Sequence, residues 1–143
     1  MVQLRAAHER DLTELASLAG ELGYPLAPAI ISANLLQIVT RPEHCLLVAC
    51  DAEDRAIAFL HAYQRISLAS VPSVEIAGLV VAADWRGQGV GRRLILALQD
   101  WASQHGVMVL RLRSNVQRED AHRFYQQLGF RVSKTQLALV KNL

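Results

Sequence analysis

No stretch of the 143 residues is apolar for the roughly 20 positions that a membrane-spanning helix needs. A strong charge of one sign is missing too, since 15 Lys and Arg against 13 Asp and Glu leave +2. Nucleic-acid binders carry a larger and more clustered excess. Here Arg86, Arg92, Arg93, Arg111, Arg113 and Arg118 alternate with core positions instead of forming a run. Only two cysteines are present, Cys45 and Cys50, in one apolar stretch. In a strand they face opposite ways, so they are not expected to pair, and two buried free thiols fit a reducing cytoplasm. His44 beside Cys45 has no second ligand cluster at zinc spacing, so no metal is expected. Met1 to Arg5 leads straight into a charged segment, unlike a signal peptide, and a cytoplasmic setting is expected. Repeats, low-complexity segments and linkers are also lacking, and the length suits a single domain over residues 1–143.

What remains is a globular pattern of short elements. Residues 2–7 read as an edge strand, and Leu12, Leu15, Leu18, Ala19 and Leu22 recur at helical spacing up to Gly23. A turn at 24–28 precedes a second helix carrying Ile30, Ile31, Leu35 and Ile38. "CLLVAC" (45–50) and "AIAFLHAYQRI" (56–66) read as strands joined by the acidic turn 51–54, and "VEIAGLVV" (74–81) as another strand. A third helix has an apolar stripe of Leu94, Ile95, Leu98, Trp101 and Ala102. A strand over 107–113, a helix over 118–128 and two closing strands in "FRVS" and "TQLALVK" follow. The order β-α-α-β-β-β-α-β-α-β-β mixes hairpins with crossovers and predicts a mixed sheet.

Glycine is scarce, eight in all, yet three stand at alternate positions in "DWRGQGVGRRL" (84–94). Glycine lets neighbouring backbone N–H groups converge, and a helix N-terminus adds its dipole, so a strand–glycine–helix turn among arginines predicts an anion site for phosphate. It is not a P-loop, because no Lys-Ser/Thr pair follows. It is not a dinucleotide fingerprint either, because Arg92 or Leu94 falls where the third glycine belongs.

Arg86-Gly87-Gln88-Gly89-Val90-Gly91 resembles the Arg/Gln-x-x-Gly-x-Gly/Ala signature of the GCN5-related N-acetyltransferases, which cradles the pyrophosphate of acetyl-coenzyme A. A second element, Phe124-Tyr125-Gln126-Gln127-Leu128-Gly129-Phe130, is similar to that family's Phe-Tyr-x-x-x-Gly-Phe. The resemblance, which the element order carries over nearly the whole chain, implies an α+β fold. In it a central mixed, mostly antiparallel sheet of about seven strands is flanked by about four helices. It implies acetyl-CoA as donor, with the backbone of Leu79, Val80 and Val81 along the pantetheine arm. Gly87, Gln88, Gly89, Val90, Gly91 and Arg92, with Arg86, are implied for the diphosphate. It also makes a homodimer the expectation.

Tyr125 lies about 100° round the helix from the Phe124, Ala121 and Leu128 stripe. A phenol there suits a general acid for the departing thiolate, and equally a packing residue beside the cofactor. Glu75 stands eleven residues before Arg86, the offset of the glutamate in histone-acetylating members of the family. It suits a general base for an alkylammonium, or a rim carboxylate that only attracts one. Where many members carry an asparagine seven residues before the tyrosine, this chain has Arg118, with Asn115 the nearest asparagine. Either of these two is the expected cofactor contact. Glu21, Tyr24, His61, Tyr63 and Glu75 are the candidates for the acceptor side. The reading is an N-acetyltransferase acting on a primary amine, favouring a small molecule over a protein lysine or N-terminus. A coenzyme A-binding module without turnover is the alternative from another class.

Overall fold

Asp51 closes the central hairpin of the sheet, its Oδ1 accepting the backbone N–H groups of Glu53 and Arg55, each at 3.0 Å. This local carboxylate turn is what the "DAED" run implies. The computed structural model describes residues 1–23 and 26–143. In chain order the elements are β1 (Gln3–Ala6), α1 (Leu12–Gly20), α2 (Pro28–Val39), β2 (His44–Cys50), β3 (Ala56–Arg65), β4 (Ser73–Val81), α3 (Val90–Gln104), β5 (Leu110–Leu112) and α4 (Glu119–Gln127). They fall into two compact units, Met1–Leu112 and Arg113–Leu143.

In the first unit the strands lie in the order β1-β2-β3-β4-β5. All neighbours are antiparallel except β4 and β5, which run parallel after the α3 crossover. Period-2 alternation sends Val48, Phe59 and Val80 into one cluster with Leu15, Leu18 and Leu35 of α1 and α2. Leu60, Ala62 and Val74 take the alternate positions, and α3 packs against β2, β3 and β4 with Leu94, Ile95 and Leu98 fully buried. The free thiols Cys45 and Cys50 are both buried in β2, and burial pushes the Cys45 thiol up to about 11. No helix among the described residues is long and apolar enough to cross a membrane.

The mixed α+β fold with four helices is as expected, but the described sheet has five strands, not about seven. The strand expected over 107–113 contracts to Leu110–Leu112. "FRVS" and "TQLALVK" form no strand, and Val132, Leu137, Leu139 and Val140 stand exposed. Alternation fixes which side chains would share a face, but a strand exists only where a ladder partner takes up its N–H and C=O groups.

One buried charge ties the start of the chain to this sheet. Asp11, 4% exposed, accepts Arg5 Nη1 and Nη2 at 2.9 Å each and the His8 backbone N–H at 2.8 Å. Arg5 Nε also reaches Asp54 Oδ1 at 2.9 Å, so β1 is clamped to the hairpin turn. Burial alone would raise the Asp11 carboxyl, but the Arg5 and His8 hydrogen bonds and the nearby arginines outweigh it and hold it below the usual range. Its contribution to stability is therefore complete above the unfolded value of about 4 and disappears as pH falls through the lower folded value. Asp11→Ala should cost about 3 kcal/mol at pH 7 in urea unfolding, and the gap to the parent protein should narrow below about pH 4. A gap that is small, or constant with pH, contradicts this role.

Candidate active site

β4 leads into the glycine turn, and the two edges of β4 are not equally covered. Towards β3 it is paired from Ser73 to Val81, whereas towards β5 it is paired only at Val74, Glu75 and Ile76. A bulge falls at that limit: His61 faces Gly78 and Ala62 faces Ile76, leaving Ala77 as the extra residue. Bulges bend and twist a strand, so β4 changes course where β5 leaves it. Residues 77–81 keep an edge of N–H and C=O groups without a strand partner on the β5 side among the described residues.

Beyond β4 a short turn at Ala83–Trp85 brings the chain to Gly87 at φ 76° and Gly89 at φ 80°. These are left-handed conformations that other residues resist, and an added Cβ at either position would meet nothing within 4 Å. Glycine is required here by backbone direction, not by crowding. α3 then starts with Gly89 as its N-cap, with no side chain capping it and no acid in its first turn. Its leading N–H groups are thus left for an outside acceptor, next to exposed Arg92. Val90, 3% exposed, anchors the turn in the core.

The flanking arginines have different tasks. Arg86 Nε donates to Val81 O at 2.9 Å and Nη2 to Glu21 Oε1 at 3.2 Å, bracing the strand end. Arg93 Nη1 donates to Val2 O at 2.9 Å. Glu21 therefore stands with Arg86 at the glycine turn. Tyr24 lies outside the described residues.

On the α1 and α2 face the apolar core gives way to a polar row. His44 of β2 pairs in register with Tyr63 of β3, and Tyr63 with Glu75 of β4. The Tyr63 hydroxyl donates to Glu75 Oε2 at 2.8 Å. His44 Nδ1 and His61 Nε2 lie 2.9 Å apart and share one proton between them. Burial, with the His44 imidazole beside it, pushes His61 down to about 4, so it is neutral at neutral pH. On the other side of Glu75 the register neighbour is Arg111 of β5, whose Nε is buried without a hydrogen-bond partner. A cavity of about 340 Å³ opens beside the histidines, lined by Asn34, Gln37, Ile38 and Arg41 as well as His44 and His61. The described residues hold no group of three or more His, Cys, Asp or Glu placed to bind a metal ion.

The second unit carries the other sequence candidates. Tyr125 packs edge-on between Phe124 and Phe130, with ring centroids at 5.1 and 5.4 Å, which explains both phenylalanines of that motif. Burial raises the Tyr125 phenol against the opposing pull of Arg118, so it is a protonated donor at neutral pH. Asn115 Oδ1 accepts the Gln117 backbone N–H at 2.9 Å and so shapes the loop before α4. Arg118 is the N-cap of α4 and is exposed.

The structure thus sets His61, Tyr63 and Glu75 on one face and places His44, Arg41, Asn34 and Gln37, which the sequence reading did not single out for this face, beside His61. A signal for His44 existed. Counting outward from the turn 51–54 sets His44 opposite His61. In the structure Cys50 pairs with Ala56 and a bulge at Ile57 shifts the register once more, so that His44 meets Tyr63 and Leu46 meets His61. Asn34 and Gln37 come from α2 and Arg41 from just past its C-terminal end, and no local pattern reveals the placement of α2 over the hairpin.

Comparison with known proteins agrees with this architecture. Residues 10–130 match the model of the Acetyltransferase (GNAT) family. An uncharacterized N-acetyltransferase of Bacillus subtilis, YhdJ, is 34% identical over 98 residues, 68% of this chain and 69% of that protein. Aminoalkylphosphonate N-acetyltransferase of Salmonella typhimurium is 41% identical over 59 residues, 41% of this chain and 38% of that protein. The crystal structure of aminoglycoside 6'-N-acetyltransferase AAC(6')-Ih of Acinetobacter baumannii shares the fold, with a TM-score of 0.90 at 21% identity over 100% of this chain and 99% of that one. The chain therefore belongs to the GNAT acetyltransferase family and is an acetyl-CoA-dependent N-acetyltransferase.

Proposed function

We propose that residues 1–143 act as one catalytic domain that acetylates the primary amine of a small molecule. The observation that carries this is the Tyr63–Glu75 pair beside the open edge of β4, with a small-molecule-sized cavity on the same face. The relatives named for aminoalkylphosphonate and aminoglycoside acetylation support a small acceptor. Buried, unpaired thiols fit a cytoplasmic setting.

In this reading Gly87, Gln88, Gly89, Val90, Gly91 and Arg92 hold the donor's diphosphate on the N-terminus of α3. The free edge formed by Leu79, Val80 and Val81 pairs with the pantetheine amides. Arg86 supports both by fixing Val81. Glu75, held in place by the Tyr63 hydroxyl that donates to it, takes one proton from the acceptor ammonium through a water. The freed amine forms the N–C bond to the thioester carbonyl, and the C–S bond breaks. Tyr125 gives its phenolic proton to the departing sulfur, and the proton the new amide nitrogen sheds restores the phenol. Arg118, exposed at the start of α4, is the better candidate for a phosphate contact, because the Asn115 carbonyl oxygen is engaged in its own loop. Glu21, held by Arg86, helps to define the acceptor entrance. A homodimer belongs to this reading too, since the exposed apolar side chains of residues 132–140 call for a cover.

Release of coenzyme A across a panel of primary amines tests the proposal directly. Turnover of small amines is expected, whereas tight acetyl-CoA binding without any turnover would turn the protein into a binding module. Tyr125→Phe should lower kcat by about 10²-fold with little change in acetyl-CoA affinity, and an unchanged kcat would demote Tyr125 to packing. Gly89→Asp should abolish acetyl-CoA binding in calorimetry, because it puts a side chain and a negative charge where the diphosphate is expected. Unaltered affinity would contradict the placement.

A further inference from the structure

The cavity between α2 and the β2–β3 hairpin has an unusual lining for a site that receives a cation. It holds about 340 Å³, room for a small molecule, and none of Asn34, Gln37, Ile38, Arg41, His44 and His61 is a carboxylate. All the polar ones can donate hydrogen bonds. Arg41 Nη2 donates to Gln37 Oε1 at 3.1 Å, a neutral partner, and among the described residues Arg41 enters no ion pair. His61 is neutral and shares a proton with His44, so the pair offers an imidazole N–H without needing a carboxylate to orient it. A convergent cation, two amides and an imidazole pair make a binding place for an oxyanion.

The same face ends in Glu75, two strands away through Tyr63. Neighbouring strands lie about 4.8 Å apart, so His44 and Glu75 are separated by roughly 10 Å across the sheet. Resting on the reading of Glu75 as the amine's base, we propose that the acceptor is a primary amine tethered to an oxyanion, a carboxylate or a phosphonate. The amine goes to Glu75 and the oxyanion to Arg41. The spacer is a short chain of methylene groups that reaches from Glu75 past Tyr63 to the cavity. Substrates with several positive charges and no anion are disfavoured, because nothing in the cavity neutralises them.

The test compares 5-aminopentanoate and 4-aminobutylphosphonate with pentylamine and 5-aminopentanol, using the whole protein and acetyl-CoA. The anionic amines should exceed the neutral pair in kcat/KM by about 30-fold, and the better of the two names the anion. In Arg41→Gln that ratio should fall towards unity through a higher KM, with partial recovery in Arg41→Lys. Equal kcat/KM for pentylamine and 5-aminopentanoate overturns the inference while leaving small-amine acetylation intact. So does a ratio that survives Arg41→Gln, or one lost in Arg111→Gln instead. If no amine is turned over, the acceptor reading itself fails, and calorimetry with 5-aminopentanoate then decides. Binding that Arg41→Gln abolishes upholds the anion site, and absence of binding overturns it.

Discussion

An inner strand has two edges to satisfy, and β4 satisfies one of them only in part. β3 covers it along its whole length, while β5 covers Val74, Glu75 and Ile76 and then ends. The rest of the site depends on that shortfall. The open edge leads directly into the two left-handed glycines, which turn the chain so that α3 presents its unpaired N–H groups at the end of the same strand. Arg86 locks the corner by holding Val81 O and Glu21 together. A donor with an amide-bearing arm and a diphosphate, as proposed, suits this strand edge followed by a helix start.

The polar row proposed for the acceptor side is built from the sheet's register. Aromatic and aliphatic packing fills the α1 and α2 face as far as Phe59 and Val80, and at the next register positions the side chains become His61, Tyr63 and Glu75. Placing polar groups at the end of a layer keeps them hydrated or paired, whereas in its middle they would cost stability. The Tyr63 hydrogen bond fixes Glu75, and the histidine pair leads on to Arg41. The face is thus graded from core, to the Glu75 carboxylate, to a donor-rich cavity.

Local features were legible in the sequence and non-local ones were not. The glycine turn declares itself because its chemistry lies within a few residues, as does the Asp51 turn. The motif tyrosine was visible, and the structure adds why Phe124 and Phe130 flank it. His44 reads in the sequence only as a histidine without metal partners. Hairpin counting puts it beside His61, but the register shift with the bulge at Ile57, which sets it opposite Tyr63, has no sequence signal. Arg41 had no sequence signal, since its meaning depends on α2 crossing β2. The closing strands were over-read, because "TQLALVK" alternates as a strand does but alternation supplies no ladder partner.

The central claim is that the edge of β4 and the start of α3 form one continuous donor site. Amide hydrogen exchange with and without acetyl-CoA measures this at the backbone groups concerned. Binding should slow exchange at residues 79–81 and 87–92 together, more than anywhere else in the first unit. Slowing confined to other segments, or at the glycine turn without β4, would contradict the account.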